Sequence, residues 1–114
     1  MTIKDEAFFS ITWAKDPGIH ALVNAVIPAS QSAGGYKGEV VPQMWTYEHK
    51  IGGGQTARAF VWMQGHTYTN FALPAIEKTL LRGIAWAGKK PVDELASYTP
   101  PARGAGRGRG RGGQ

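Results

Sequence analysis

Residues 40–66 read VVPQMWTYEHKIGGGQTARAFVWMQGH, and this stretch decides the fold. Val40–His49 and Ala57–Met63 are rich in β-branched and aromatic residues, the types that fit a pleated, half-buried surface. The segment between them, Lys50-Ile51-Gly52-Gly53-Gly54-Gln55-Thr56, carries a glycine cluster suited to reversing the chain. The spacing predicts two strands joined as a hairpin. Pro42 lacks a backbone N–H, so it limits how early the first of them can pair as a central strand. The three glycines do not read as a phosphate cradle. No Lys-Ser/Thr pair follows them, and no helix opens there.

Working outward, Ile19–Pro28 (IHALVNAVIP) is almost continuously apolar and predicts a strand buried on both faces. Asp16-Pro17-Gly18 before it is a turn signal. Ala7–Trp13 (AFFSITW) predicts a further short strand, which brings the sheet to about four. Residues 29–38 (ASQSAGGYKG) read as a loop.

Downstream, Pro74–Ala87 is the one strong helix. Ile76, Leu80, Leu81, Ile84 and Ala87 recur at spacings of three and four, predicting one apolar stripe. Pro74 suits the first turn, and Glu77 and Arg82 match the helix dipole. Gly88 suits a left-handed stop. Gly83 costs the helix roughly 1 kcal/mol relative to Ala, which points to a close approach to the sheet.

The chain has 114 residues, enough for one small domain. Its net charge of +5 is mostly that of the last residues: Arg103, Arg107, Arg109 and Arg111 account for four of the 13 bases. Residues 1–100 are therefore near neutral, and no basic binding face is expected on the folded part. The segment 100–114 has no large apolar residue and reads as a disordered Arg/Gly-rich tail. Such tails can bind RNA through Arg–phosphate contacts and stacking. Four arginines are few for that, and a flexible extension is the simpler account. The absence of cysteine excludes disulfides, thiol catalysis and cysteine metal sites. No apolar run approaches the length of a membrane span, and the first residues, MTIKDE, have no signal-peptide character. A cytoplasmic location is the default expectation, and a parent with a longer N-terminus could be exported.

Four segments in order resemble the ThuA-like (trehalose utilisation) family of the class I glutamine amidotransferase-like superfamily. They are Asp5-Glu6-Ala7-Phe8, Pro42…Trp45-Thr46, Gln64-Gly65-His66, and Leu81-Arg82-Gly83-Ile84-Ala85-Trp86-Ala87. The resemblance covers residues 2–95 and corresponds to the family's C-terminal half. It departs at Gly52–Arg58, where the family's turn is shorter. It also lacks the half that would carry most of the parallel sheet. The expectation is an α/β, partial amidotransferase/flavodoxin-like domain over 1–99, with a mixed sheet of about four strands and one C-terminal helix. What the resemblance implies is a role in using trehalose or a related sugar, including keto-sugars, with the reaction left open. The rivals are a non-catalytic fragment that needs a partner and nucleic-acid binding through the tail.

The candidate site residues are His66 and Glu6. His66 follows Gly65 directly after a predicted strand, at the end where open α/β folds bind ligands. It can act as a base or hold a metal, or it can be a structural residue of the loop. Glu6 is an acid just before an apolar segment, with a solvated chain end as its plain alternative. A divalent metal is the candidate cofactor for this pair. His20 and His49 have no metal-ligand spacing with His66 and read as an edge residue and a solvated hairpin flank. Trp13, Trp45, Trp62 and Trp86 could offer a face to a sugar, but core packing is expected for Trp62 and Trp86. The expected partners are a sugar ligand and either a second copy or the missing N-terminal half. Nucleic acid and membrane are not expected.

Overall fold

The computed structural model describes residues 3–28 and 38–99. Within them the chain forms strand β1 (Ile19–Val26), β2 (Val40–Lys50), β3 (Thr56–Trp62), a single 3-10 turn (Tyr68–Ala72) and helix α1 (Pro74–Ala87). The strands make an antiparallel sheet in the order β1-β2-β3. The fold is a small α/β domain, with three strands rather than the expected four and no parallel pair among the described residues. The expected tail and the loop over residues 29–37 lie outside the described residues.

The hairpin forms where the sequence places it. Met44 pairs with Trp62 and Lys50 with Thr56 in one unbroken register. Gly53 takes a φ of 73° at the tip, a left-handed conformation that glycine adopts without strain. The β1–β2 ladder is less regular. Ala21 faces Trp45 and Val23 faces Met44, so Leu22 is an extra residue in β1. Asn24 then faces Pro42, so Gln43 is an extra residue in β2, and the original register resumes. The two irregularities cancel. They also explain how Pro42 fits inside a central strand, since bulges are one of the few places a sheet admits proline.

The Ala7–Trp13 strand does not form. Its backbone finds no neighbouring strand among the described residues, and Ser10 adopts a left-handed φ of 62° that interrupts the extended run. Instead the segment is held by side chains. Trp13 meets Trp45 edge-on, with ring centroids 4.7 Å apart, and Ala7 packs on Ile27 and Val41.

The expectation that β1 is buried on both faces also fails. Leu22, Val23 and Val26 are exposed, because β1 is an edge strand and α1 packs on β3 at the far side of the sheet. Among the described residues the apolar core is correspondingly small: Ile27, Val41, Met44, Ile76 and Ala85.

α1 has the predicted limits, with Pro74 in its first turn and Glu77 supplying the early negative charge. Its contact line differs from the predicted stripe. Ile76, Gly83 and Ala85 are buried while Ile84 is more than half exposed. Gly83 lies directly against the Phe60 ring of β3, so the helix touches the sheet at its smallest residue. That contact turns the neighbouring Ile84 outward. Arg82 lies outside the last turn and instead donates to Asp93 at 2.6 Å. The left-handed residue after the helix is Lys89 (φ 57°), not Gly88 (φ −76°). Arg58 fastens helix to sheet on the exposed side. It lies 4.9 Å over the Trp86 ring and pairs with Glu48 at 2.8 Å.

Candidate functional site

The two candidate residues lie 60 positions apart in sequence, and the fold brings them together. His66 Nδ1 stands 3.6 Å from Glu6 Oε2. Both side chains are mostly exposed. The separation is slightly long for a hydrogen bond, as free catalytic pairs often are.

Two clasps create this juxtaposition. Asp5 is the first. Its Oδ1 accepts from the backbone N–H of Thr67 at 3.2 Å and of Glu6 at 2.9 Å. Its Oδ2 accepts from the Asn70 amide at 3.1 Å, and the same amide donates to the Lys4 carbonyl. The acid thus binds the turn that carries His66. Partial burial pushes the Asp5 carboxyl up, but the N–H groups of Thr67 and Glu6 and the Asn70 amide outweigh it, and the net pKa lies below the ordinary 3.8.

Gln43 is the second clasp. It is 1% exposed and is the buried polar residue of the domain among those described. Its Oε1 accepts from the Phe8 backbone N–H at 2.9 Å and from Gln64 Nε2 at 2.7 Å. Its Nε2 donates to the Phe8 carbonyl at 2.6 Å and to the Pro42 carbonyl at 3.0 Å. All four of its hydrogen-bonding capacities are used.

Beside these clasps is a cavity of about 430 Å³, within the usual size of small-ligand pockets. Glu6, Asp5, Gln64 and Asn24 supply its polar groups, and Met44, Trp62 and Ile76 its apolar wall. Of the residues at the double irregularity, Val23, Asn24, Gln43 and Met44 line it, whereas Leu22 does not. Bulges commonly re-aim side chains beside binding sites. Trp62, expected in the core, is only half-buried and lines the cavity, and its Nε1 is inaccessible and has no hydrogen-bond partner among the described residues.

The remaining histidines stay away from the pair. His20 is an exposed residue on edge strand β1, opposite Thr46. His49 is exposed and stacks on Tyr47 at 5.9 Å. Tyr47 in turn donates to Asp16 at 2.9 Å. The Gly18 N–H and this phenol hold the Asp16 carboxyl below its ordinary value, and the same bond raises Tyr47. Among the described residues, no group of three or more His, Cys, Asp or Glu is arranged to hold a metal ion. Glu6 and His66 alone are two ligands, short of the coordination a structural or catalytic divalent site takes from protein. No helix among the described residues is long and apolar enough to cross a membrane.

Gln43 and Asp5 are the site-building residues that sequence reasoning missed. A glutamine inside an apolar strand next to a proline was the available signal for the first. No family model, curated protein or solved structure matches the chain.

Proposed function

We propose that the chain is the C-terminal part of a ThuA-like domain, and that its cavity binds trehalose or a related sugar with Glu6 and His66 as a proton-handling pair. The observation that carries this is the 3.6 Å approach of His66 to Glu6, where Glu6 also lines the 430 Å³ cavity. A carboxylate that closes on Nδ1 to hydrogen-bond distance would fix the imidazole tautomer and leave Nε2 to accept or return a proton. The cavity suits a sugar in kind: acceptor groups on Asp5, Glu6 and Asn24 meet hydroxyls, and Trp62 and Met44 meet the apolar C–H face. The antiparallel hairpin and closing helix are compatible with the end of a larger amidotransferase-like sheet, the parallel part of which would lie elsewhere.

Titration calorimetry of the whole chain with trehalose and with a keto-sugar tests the proposal. We expect saturable binding that Glu6→Gln and His66→Ala each weaken by about tenfold or more, the effect of one charge-assisted hydrogen bond. Absence of binding to the native chain, or loss in only one variant, counts against the paired site. A partner-dependent fragment is the second reading, favoured by the exposure of Leu22, Val23 and Val26 on β1 and of Val40 at the start of β2. Sedimentation showing a monodisperse monomer would dispose of self-association.

A further inference from the structure

Among the described residues there is one fully buried polar side chain, and it is placed symmetrically with respect to the candidate pair. Gln43 bonds Phe8, two residues after Glu6, and Gln64, two residues before His66. It therefore ties together the two segments that present the pair, although it touches neither partner.

The geometry toward Phe8 is that of a strand neighbour. One amide group offers an acceptor to the Phe8 N–H and a donor to the Phe8 carbonyl, at 2.9 and 2.6 Å. A backbone peptide on an adjacent strand would offer the same two groups. Among the described residues no strand pairs with Phe8, and Gln43 offers these groups in its place. Its freedom to do so comes from the ladder: Gln43 has no residue opposite it in β1, where the register skips from Met44 to Pro42. Its own carbonyl still accepts from the Met63 N–H at 3.0 Å, which keeps β2 joined to the segment leading to His66.

We propose that Gln43 is the positioning residue of the Glu6–His66 site, acting as a buried side-chain surrogate for a missing strand that sets the distance between the two groups. This rests on the reading of Glu6 and His66 as the functional pair. Packing alone would be satisfied by any side chain of similar volume. Positioning requires both a donor and an acceptor at this point, because the part-buried bonds to the Phe8 N–H and carbonyl would otherwise be lost and the segment, exposed at Phe8, would turn those groups to water.

The test compares Gln43→Leu with Gln43→Glu in the full chain. The primary measurement is the nuclear Overhauser contact between the Glu6 γ-methylene and the His66 ring protons. Amide resonances of Glu48 and Arg58 report on the distant hairpin. In Gln43→Leu we expect the Glu6–His66 contact to disappear while the hairpin resonances stay in place. In Gln43→Glu at neutral pH it should also be lost, since a carboxylate cannot donate to the Phe8 carbonyl. Lowering the pH protonates a buried carboxyl early, because burial disfavours its charged form. The acid then carries a donor and an acceptor again, and the contact should return in the same sample. A purely packing role predicts no such pH-driven rescue. Gln43→Glu also keeps the proposal open to refutation if Gln43→Leu fails to fold.

Persistence of the contact in folded Gln43→Leu overturns the proposal, as does a Gln43→Glu variant that shows the contact equally at both pH values. Trehalose binding separates the two claims. If the contact is lost in Gln43→Leu but trehalose still binds as to the native chain, the positioning role stands and the pair is not the sugar site. If contact and binding fall together, by about tenfold in affinity, both stand.

Discussion

Replacing Gly83 with alanine sets two well-understood effects against each other. Helix propensity favours the change: glycine inside α1 costs roughly 1 kcal/mol relative to alanine. Steric contact opposes it. A Cβ on residue 83 would fall on the Phe60 ring, closer than real Cβ contacts come, and the atoms it meets include the ring's root carbon rather than a flexible end. Either the ring must leave its place or α1 must lift from β3. Overpacking of this kind costs typically 1–3 kcal/mol. Since Gly83 is buried at the one point where helix and sheet meet through a glycine, relaxation into solvent is not available. We expect the steric effect to win, with a net loss of about 1 kcal/mol and a fall in melting temperature of roughly 4–8 °C for a domain of this size. Urea unfolding of Gly83→Ala, Phe60→Leu and the double variant measures it. Coupling between the two changes should be favourable, because the smaller side chain makes room for the methyl group. A stabilised Gly83→Ala, or a double variant showing no coupling, would refute the close-packing argument.

The Asp5 clasp and the end of the helix give two further expectations. The Asp5 pKa is depressed, so its contribution is present above the ordinary 3.8 and is lost as pH falls through the lower folded value. The Thr67 amide resonance should report a titration with its midpoint below 3.8, absent in Asp5→Ala; a midpoint above 3.8 would contradict the clasp. Lys89 holds a left-handed φ of 57° that costs an L-residue about 1 kcal/mol. Lys89→Gly should therefore raise stability by about 0.5–1 kcal/mol in thermal unfolding, and a loss would show that its Nζ bond to Gln55 outweighs the backbone strain.

The hairpin and α1 were legible because each depends on local signals, and Glu6 and His66 could be picked out as candidates from local position alone. Glycine at 52–54 dictates a reversal whatever surrounds it, and the Pro74–Ala87 periodicity needs only a helix to express it. What sequence could not give was the partner of each segment. Ala7–Trp13 has strand composition, yet strands exist only in pairs, and among the described residues no strand lies beside it. Ile19–Val26 is apolar enough for a core, yet its exposure was set by α1 packing on β3. Ile84 belongs to the periodic stripe, but the stripe was turned by a glycine that has no hydrophobicity to count. Asp5 and Gln43 hold the segments that carry Glu6 and His66, and their hydrogen bonds become visible only once distant segments are juxtaposed.

The paired offsets at Leu22 and Gln43 bind the history of the two strands together. Removing either residue alone would leave the other as a single, uncompensated bulge in the ladder. Removing both would restore a plain, uninterrupted ribbon. Gln43 is thus dispensable to the sheet only in company with Leu22. A descendant that lost the pair would keep its architecture and surrender the means by which the N-terminal segment is held to it.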